Sequence, residues 1–236
     1  MATVAIHQPQ FMPWLGYLDK MDRADCFILL DTVQYKKNEW QNRNRIKTAQ
    51  GAQWMTVPVT YQFPARIEEV RVSDSANWRN KHWQALITNY AKAAFWKEHE
   101  GTLRALYDGE WERLADVNRA SIEWLRAAFG IETPLRWASE LDAEDDPTQR
   151  LIDLCRAVGA DVYLGGADGR NYMDVERFAE ARIEVIFQEY QHPSYDQLFD
   201  PFESHLSALD LVLNCGPRSL EILRQGRRDV PSRNDT

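Results

Sequence analysis

The 236-residue chain has few cysteines and no long apolar run. Its three cysteines, Cys26, Cys155 and Cys215, are odd in number, far apart and without a CxxC pair. A disulfide framework and a zinc ribbon are therefore not expected. No stretch approaches the roughly 18 apolar residues of a membrane-spanning helix, and the first residues lack the basic and apolar parts of a signal peptide. We expect a cytoplasmic protein that does not bind membranes.

Basic residues are also scarce. The 28 Lys and Arg residues stand against 36 Asp and Glu, for a net charge of −8, which argues against general DNA binding because phosphate contacts need a basic surface. The exception is residues 36–47, where five basic residues face one acidic residue. Nine tryptophans provide stiff aromatic surfaces that suit either a core or a pocket for flat and sugar-like groups. The composition predicts a local anion site in an acidic protein.

Apolar runs alternate with helical patterns along the chain. The runs predict strands at 2–6, 26–31, 57–61, 67–73, 161–164 and 183–190. Apolar spacings of three and four residues predict helices at 16–24, 76–107, 111–129, 145–158, 203–213 and 217–225. This order predicts an α/β fold with a largely parallel sheet, flanking helices and a helical middle segment. We expect one domain over residues 1–225, with a helical insertion at about 76–130, and a flexible tail over 226–236.

The segment from His7 to Gly16 follows the first predicted strand, where open α/β sheets place ligands. Pro9 and Pro13 stiffen it and fix the position of His7, a candidate general base. The alternative is that the prolines only end the strand and that the histidine is structural. A histidine loop between a strand and a helix also resembles the arrangement in nucleotidyltransferases, here without the second histidine of their usual pair.

Asp31 ends the second predicted strand and precedes the basic segment. Residues 40–47 (WQNRNRIK) carry many hydrogen-bond donors and little apolar material, which predicts that they lie outside the core. In an extended chain the asparagines and the arginines of this segment point to opposite faces. Because arginine suits carboxylate and phosphate groups, we predict an anion site here, with a solvated loop as the alternative.

Two later segments also carry polar groups after a strand. Three glycines in residues 165–172 (GGADGRNY) are typical of a loop that binds an anion through its backbone, although a tight turn explains them equally well. Residues 187–198 contain His192, the second candidate base. Its neighbours Tyr190 and Tyr195 are also explained as anchors of the loop.

Five strings together resemble the WbqC-like protein family: IHQPQFMPWLGYLDKMDRADCFILLDTVQY (6–35), WQNRNRIK (40–47), YLGGADGRNY (163–172), FQEYQHPSYDQL (187–198) and LDLVLNCGPRSLEIL (209–223). They span nearly the whole chain. The chain departs from the family at 165–171, where relatives tend to have a Ser-Gly-x-x-Gly-Lys-Asn pattern. The resemblance implies a role in polysaccharide or O-antigen biosynthesis and the transfer of glycine or another aminoacyl group.

We therefore predict a transferase that moves an aminoacyl group onto the amine of an amino sugar or another small, anionic metabolite. The candidate catalytic residues are His7, His192 and Asp31. The candidate substrate-binding residues are Gln8, Trp14, Lys20, Gln34, Tyr35, Trp40, Gln41, Asn42, Arg43, Asn44, Arg45, Lys47, Gly165, Gly166, Gly169, Arg170, Asn171, Tyr172, Gln188 and Tyr195.

Three activated donors fit this prediction: an aminoacyl-tRNA, an adenylate made from ATP with Mg²⁺, and a carrier-bound thioester. The sequence offers no histidine and carboxylate spacing typical of a metal site. Two other functions stay open, namely nucleotidyl transfer from ATP and the binding of a sugar nucleotide without catalysis.

Overall fold

The computed structural model describes residues 1–73, 77–171 and 173–228. Its strands are β1 (Thr3–His7), β2 (Cys26–Leu29), β3 (Arg43–Thr48), β4 (Gly51–Thr56), β5 (Val59–Thr60), β6 (Arg71–Val72), β7 (Leu135–Trp137), β8 (Val162–Gly165) and β9 (Glu184–Phe187). Its α-helices are α1 (Leu15–Asp22), α2 (Trp78–Tyr90), α3 (Trp96–Asp108), α4 (Leu114–Phe129), α5 (Pro147–Ala157), α6 (Val175–Glu180), α7 (Leu209–Cys215) and α8 (Ser219–Gln225).

Five strands form one parallel sheet in the order β7-β2-β1-β8-β9. The chain therefore builds outward from β1 in one direction through β2 and β7, and then in the other through β8 and β9. Sheets with this order have a switch point, here between β1 and β8, where the connections leave in opposite directions and a crevice opens at the carboxyl ends of the strands. The predicted α/β fold with a largely parallel sheet is confirmed.

Alternate residues of the sheet pack into two separate cores. Ala5 and Leu29 belong to the larger core with α1, α4, α7 and α8, whereas Val4, Ile6 and Ile28 belong to the smaller core with α5 and α6. Side chains along a strand alternate between the two faces, so both faces of the sheet are covered by helices. This explains why the central strands have continuous apolar sequences.

The helical middle segment contains more breaks than its sequence pattern suggests. The pattern over 76–107 forms two helices, α2 and α3, because the chain turns between Ala91 and Phe95. The backbone N–H of Phe95 there donates to the carbonyl of Leu213 in α7, at 3.0 Å. The turn therefore ties the middle segment to a later part of the chain.

The polar segment 40–47 leads into β3 and forms most of that strand, and the prediction that it lies outside the core is wrong. Gln41, Asn42, Asn44 and Lys47 are buried. The Asn42 amide donates to the Val57 carbonyl at 2.9 Å, so a polar side chain is accommodated in the interior by a hydrogen bond to the backbone. The asparagines do face the opposite side from Arg43 and Arg45, as expected of a strand.

The predicted tail over 226–236 begins within the described fold. Gly226 accepts a backbone hydrogen bond from Gln191 at 2.9 Å, and the Arg227 side chain bonds to α1. Residues 229–236 lie outside the described residues. Within the described ranges, no helix is both long enough and apolar enough to cross a membrane.

Candidate functional site

A cleft of about 800 Å³ opens at the carboxyl ends of β1 and β8, at the switch point of the sheet. The loop after β1, helix α1, the loop after β2 and the short helical turn after β8 all contribute to its walls. Its volume lies within the range of about 300–1,000 Å³ that is typical of small-molecule sites. Position and size both indicate a ligand site.

Buried hydrogen bonds hold the loop that carries His7 into the cleft. The Asn118 amide on α4 donates to the Pro9 carbonyl at 3.0 Å, and Ser121 accepts from the Met12 backbone N–H at 3.0 Å. From β3, the Asn44 amide donates to the Met12 carbonyl at 2.6 Å. The loop is therefore fixed by side chains from two other elements rather than by its prolines alone.

His7 ends β1, and its ring lines the cleft. Its Nδ1 lies 3.1 Å from the Gln8 carbonyl, so Nδ1 carries the proton and Nε2 holds the lone pair. Burial, together with the nearby Lys20 ammonium, lowers the pKa of His7 from 6.5 to about 3, against a smaller opposing effect of the Gln8 carbonyl. The imidazole is therefore neutral at physiological pH and can accept a proton or a hydrogen bond at Nε2.

Lys20 on α1 lies almost entirely inside the protein, with 2% of its surface exposed, and its side chain lines the cleft. Its Nζ donates to the Ile6 carbonyl at 3.0 Å. Among the described residues, Lys20 has no carboxylate partner within 4.0 Å, and burial lowers its pKa from 10.5 to about 7. A buried cation without a counter-ion is costly, and an anionic ligand in the cleft would supply the missing charge.

The lining also contains buried polar atoms that have no partner among the described residues, Oε1 of Gln10 and the hydroxyl of Tyr17. An unsatisfied buried polar group costs about 1–3 kcal/mol. The ring of Tyr17 contacts that of His7 with 4.7 Å between centroids. These atoms have almost no exposed surface, so a ligand reaches them only if the side chains move.

Two glutamines of the lining are oriented by hydrogen bonds. Gln41 donates to Oε1 of Gln8 at 2.7 Å and accepts from the Lys36 backbone N–H at 2.9 Å. This leaves the amide nitrogen of Gln8 as a donor for a ligand. Gln188 donates to the Gly16 carbonyl at 2.8 Å and to Asp19 at 2.7 Å, which joins the loop after β9 to α1.

The structure divides the predicted site residues into two groups. Those that line the cleft are His7, Gln8, Trp14, Lys20, Trp40, Gly166, Gly169 and Gln188. Those that lie outside its lining are Asp31, Gln34, Tyr35, Gln41, Asn42, Arg43, Asn44, Arg45, Lys47, Gly165, Arg170, His192 and Tyr195. The side chain of Asn171 and the whole of Tyr172 lie outside the described residues.

The carboxylate of Asp31 is engaged away from the cleft. It accepts from the backbone N–H and the hydroxyl of Ser139, at 3.0 and 2.7 Å, in the turn after β7. Both carboxylate oxygens are used by these bonds, and the side chain is buried. In this structure Asp31 joins two neighbouring strand ends.

The basic residues of β3 also contact protein groups. The Arg43 guanidinium lies 4.3 Å from the centre of the Trp54 ring, and Arg45 forms an ion pair with Glu203 at 3.9 Å. Buried Lys47 donates to the Pro201 carbonyl. These three cations contact groups on the hairpin and the following loops and lie outside the cleft lining, whereas Lys20 and Lys36 line the cleft.

His192 lies beside the cleft rather than in its lining. Its ring is 5.0 Å from that of His205, which does line the cleft, and its Nδ1 lies 2.8 Å from the Pro193 carbonyl. Burial lowers its pKa from 6.5 to about 4, with His205 contributing in the same direction and the Pro193 carbonyl opposing. Its Nε2 is buried and has no partner among the described residues.

Sequence reasoning missed Tyr17 and His205. Tyr17 falls within one predicted helix and His205 within another, and neither directly follows a predicted strand. His205 reaches the cleft by stacking on Trp14 at 5.4 Å. The signal available for Tyr17 was its place in the Gly-Tyr pair of the first family string. In the described part of the chain, no group of three or more His, Cys, Asp or Glu residues could hold a metal ion.

Fold and cleft together define an α/β protein with an open parallel sheet and a cleft at its switch point. The model of the WbqC-like protein family matches residues 8–222. The chain is also 38% identical, over 232 residues, to a protein of Mycobacterium tuberculosis (strain ATCC 25618 / H37Rv) named uncharacterized protein Rv1507c, covering 97% of this chain and 100% of that one. The chain belongs to the WbqC-like protein family, as its sequence strings predicted. No solved structure matches it.

Proposed function

We propose that this protein transfers an aminoacyl group, glycine or a similar one, onto the amine of a small anionic acceptor bound in the cleft. The observation that supports this most directly is the pairing of neutral His7, with its lone pair on Nε2, and the buried Lys20 that has no carboxylate partner among the described residues. The first is suited to accept a proton, and the second is suited to hold an anion.

The reaction requires three tasks from the cleft residues. The acceptor amine attacks the carbonyl carbon of the donor, and Nε2 of His7 takes the proton that the nitrogen loses. The amide N–H of Gln8, oriented by Gln41, stabilises the oxyanion. The bond to the leaving group then breaks, and His7 returns the proton to that group. Lys20 holds the anionic part of the acceptor.

The charge of Lys20 is the part of the low His7 pKa that a bound acceptor changes, whereas burial, the larger cause, remains. In the empty cleft, the Lys20 ammonium contributes to the low pKa of His7. An anionic acceptor that pairs with Lys20 offsets this charge and raises the pKa of the imidazole. The base therefore strengthens when the acceptor binds.

The variant His7→Gln tests the proposal, because glutamine keeps a hydrogen-bonding end but exchanges no proton near pH 7. Transfer of labelled glycine would be measured with glycyl-tRNA, with glycine plus ATP and Mg²⁺, and with a glycyl thioester, each with an amino-sugar acceptor. With the donor that supports turnover in the wild type, we expect kcat to fall at least tenfold in His7→Gln, with little change in KM.

The matched control is His99→Gln, because His99 lies on α3 outside the cleft lining and its loss should leave kcat unchanged. No transfer from any of the three donors by the wild type, or equal kcat in His7→Gln and wild type, would overturn the proposal. Binding without turnover would instead identify a binding protein.

Nucleotidyl transfer is the second candidate. It is favoured by the strand order, with β1 central and His7 at its carboxyl end beside α1. This function predicts pyrophosphate release from ATP and Mg²⁺ in the presence of the acceptor but without an amino acid. Pyrophosphate release that requires glycine would instead fit an adenylate as the aminoacyl donor.

A further inference from the structure

Two tryptophans with large exposed surfaces lie next to each other at the edge of the cleft. Trp40 is 38% exposed and Trp54 is 45% exposed. Their ring centroids are 5.4 Å apart and the planes are tilted by 36°. Trp40 lines the cleft, whereas Trp54 lines a neighbouring smaller cavity of about 400 Å³. Exposed tryptophans are unusual, since the indole ring gains most when it is buried.

One ring of this pair also contacts a cation. The Arg43 guanidinium covers Trp54 at 4.3 Å, a contact that fixes the ring while leaving Trp40 beside it. Arg43 is itself held by the Asn38 carbonyl. A flat group that enters the cleft therefore meets Trp40, the ring of the pair that lines it.

The cleft next to this surface is cationic, although the whole chain has a net charge of −8. Its lining contains Lys20, Lys36 and Arg150 but a single carboxylate among the described residues, that of Asp168. Arg150 is already paired with Asp145, at 3.1 Å. Lys20 and Lys36 are therefore the cations available to a ligand, one beside His7 and the other in the same loop as Trp40.

We propose that Trp40 and Trp54 stack the base of a nucleotide-linked acceptor whose diphosphate lies against Lys36 and Lys20. The acceptor class is then a nucleoside diphosphate carrying an amino sugar, with its amine directed toward His7. A flat ring, two negative groups and a sugar match the aromatic pair, the two lysines and the histidine. A neutral oligosaccharide would stack on the tryptophans but would leave the buried Lys20 unpaired.

This inference rests on the proposed function, because it names the acceptor of that reaction, but its test needs no turnover. Calorimetry would measure binding of uridine diphosphate, adenosine diphosphate and inorganic pyrophosphate to the full chain. We expect both nucleotides to bind with similar affinity, since stacking tolerates any base. If the nucleotides do not bind, the acceptor assignment alone is wrong. The proposed function is tested separately, by the turnover of His7→Gln.

Variants separate the aromatic contact from the charged one. Trp40→Ala should weaken binding of both nucleotides about tenfold and leave pyrophosphate binding within twofold, since stacking on an aromatic ring is worth about 1–3 kcal/mol per base. Lys20→Met should weaken all three probes. The control Trp124→Ala removes a tryptophan that packs edge-to-face against His99 outside the cleft and should change none of them.

Three results would overturn the assignment. The first is that neither nucleotide binds the wild type. The second is that Trp40→Ala weakens nucleotides and pyrophosphate equally, or weakens neither; if this variant does not fold, Trp54→Ala provides the same comparison. The third is that a short RNA ending in CCA binds while both diphosphates do not, because the tryptophans would then serve the end of an RNA donor.

Discussion

His7 and Lys20 are coupled at the scale of single residues, because the lysine charge makes the protonated form of the histidine less favourable. Burial lowers the pKa of both, to about 3 and about 7, and the lysine charge adds to the effect on the histidine. Perturbed pKa values of this size are common at functional sites. An anion bound beside Lys20 would favour the charged form of the lysine and offset its effect on the histidine.

The variant Lys20→Met should stabilise the fold near neutral pH. The folded-state pKa of about 7 lies below the ordinary 10.5, so below pH 7 the fold bears the full cost of a buried charge. That cost is relieved as the pH rises from 7 to 10.5. We expect the free energy of unfolding to increase by about 1–3 kcal/mol at pH 6–7, with a gain that shrinks toward pH 10.

Denaturant unfolding at several pH values measures this gain, and pyrophosphate binding should be lost in the same variant. Lys97 is highly exposed and paired only at the surface, so Lys97→Met should change stability by no more than about 0.5 kcal/mol at any pH. A loss of stability at pH 6–7 in Lys20→Met, or a gain independent of pH, would show that the lysine charge does not destabilise the fold.

Residues of the cleft were predictable where the chain places them directly after a strand. His7, Gln8 and Gly166 follow this rule. This rule does not predict Tyr17 or His205. Tyr17 lines the cleft from helix α1, and His205 lies in a loop far away in the sequence, with its ring stacked on Trp14. Their positions depend on tertiary packing, which a local pattern does not contain.

At the scale of elements, buried carboxamides connect the loop after β1 to α4 and β3. Asn118 joins two segments, since its amide nitrogen donates to the Pro9 and Gln41 carbonyls at 3.0 and 2.8 Å. Asn118→Ala would leave both carbonyls without this donor. We expect a loss of about 2–3 kcal/mol in the free energy of unfolding.

The matched control for this change is Asn89→Ala, because the Asn89 amide donates only to the Ala85 carbonyl of its own helix, at 2.8 Å. Urea denaturation should show a loss below about 1 kcal/mol for this variant. Similar losses of unfolding free energy for the two variants would mean that the hydrogen bonds of Asn118 to the loop after β1 do not stabilise the fold more than an ordinary helix residue does.

The same carboxamides explain which elements the sequence pattern missed. The apolar runs at β1, β2 and β8 were found because both faces of these strands are buried. The hairpin of β3 and β4 was missed because its inward side chains include Asn42 and Asn44, which hydrogen bonds make compatible with the interior. The three-residue strand β7 is too short to show any period.

At the scale of the whole molecule, the sign of the charge in the cleft is opposite to the net charge of the chain. The chain carries a net charge of −8, yet cations outnumber carboxylates in the described lining of the cleft. A cleft of one sign concentrates ligands of the other and increases their association rate, an effect that salt reduces. The acidic surface repels anions elsewhere, so the cleft is their preferred place of contact.

Two segments far apart in the sequence, α1 and the residues just after α8, meet beside the cleft. Arg227, just after α8, donates to Asp19 on α1 at 2.6 Å and also bonds to Asp22. Asp19 has no exposed surface in its side chain and neighbours Lys20 in sequence. A buried carboxylate needs such a partner, so the last described residues complete the support of the first helix.

Arg227→Ala should therefore cost about 2–3 kcal/mol of unfolding free energy, because the Asp19 carboxylate keeps Gln188 as a donor but loses its closest cation. Urea denaturation with an unchanged m value would show that the whole fold loses stability together. Arg228→Ala is the control, since Arg228 is exposed and bonds to Gln191, and it should cost less than about 0.5 kcal/mol. Equal, small losses of unfolding free energy in both variants would mean that Arg227 is not needed to hold Asp19 and Lys20 in place on α1.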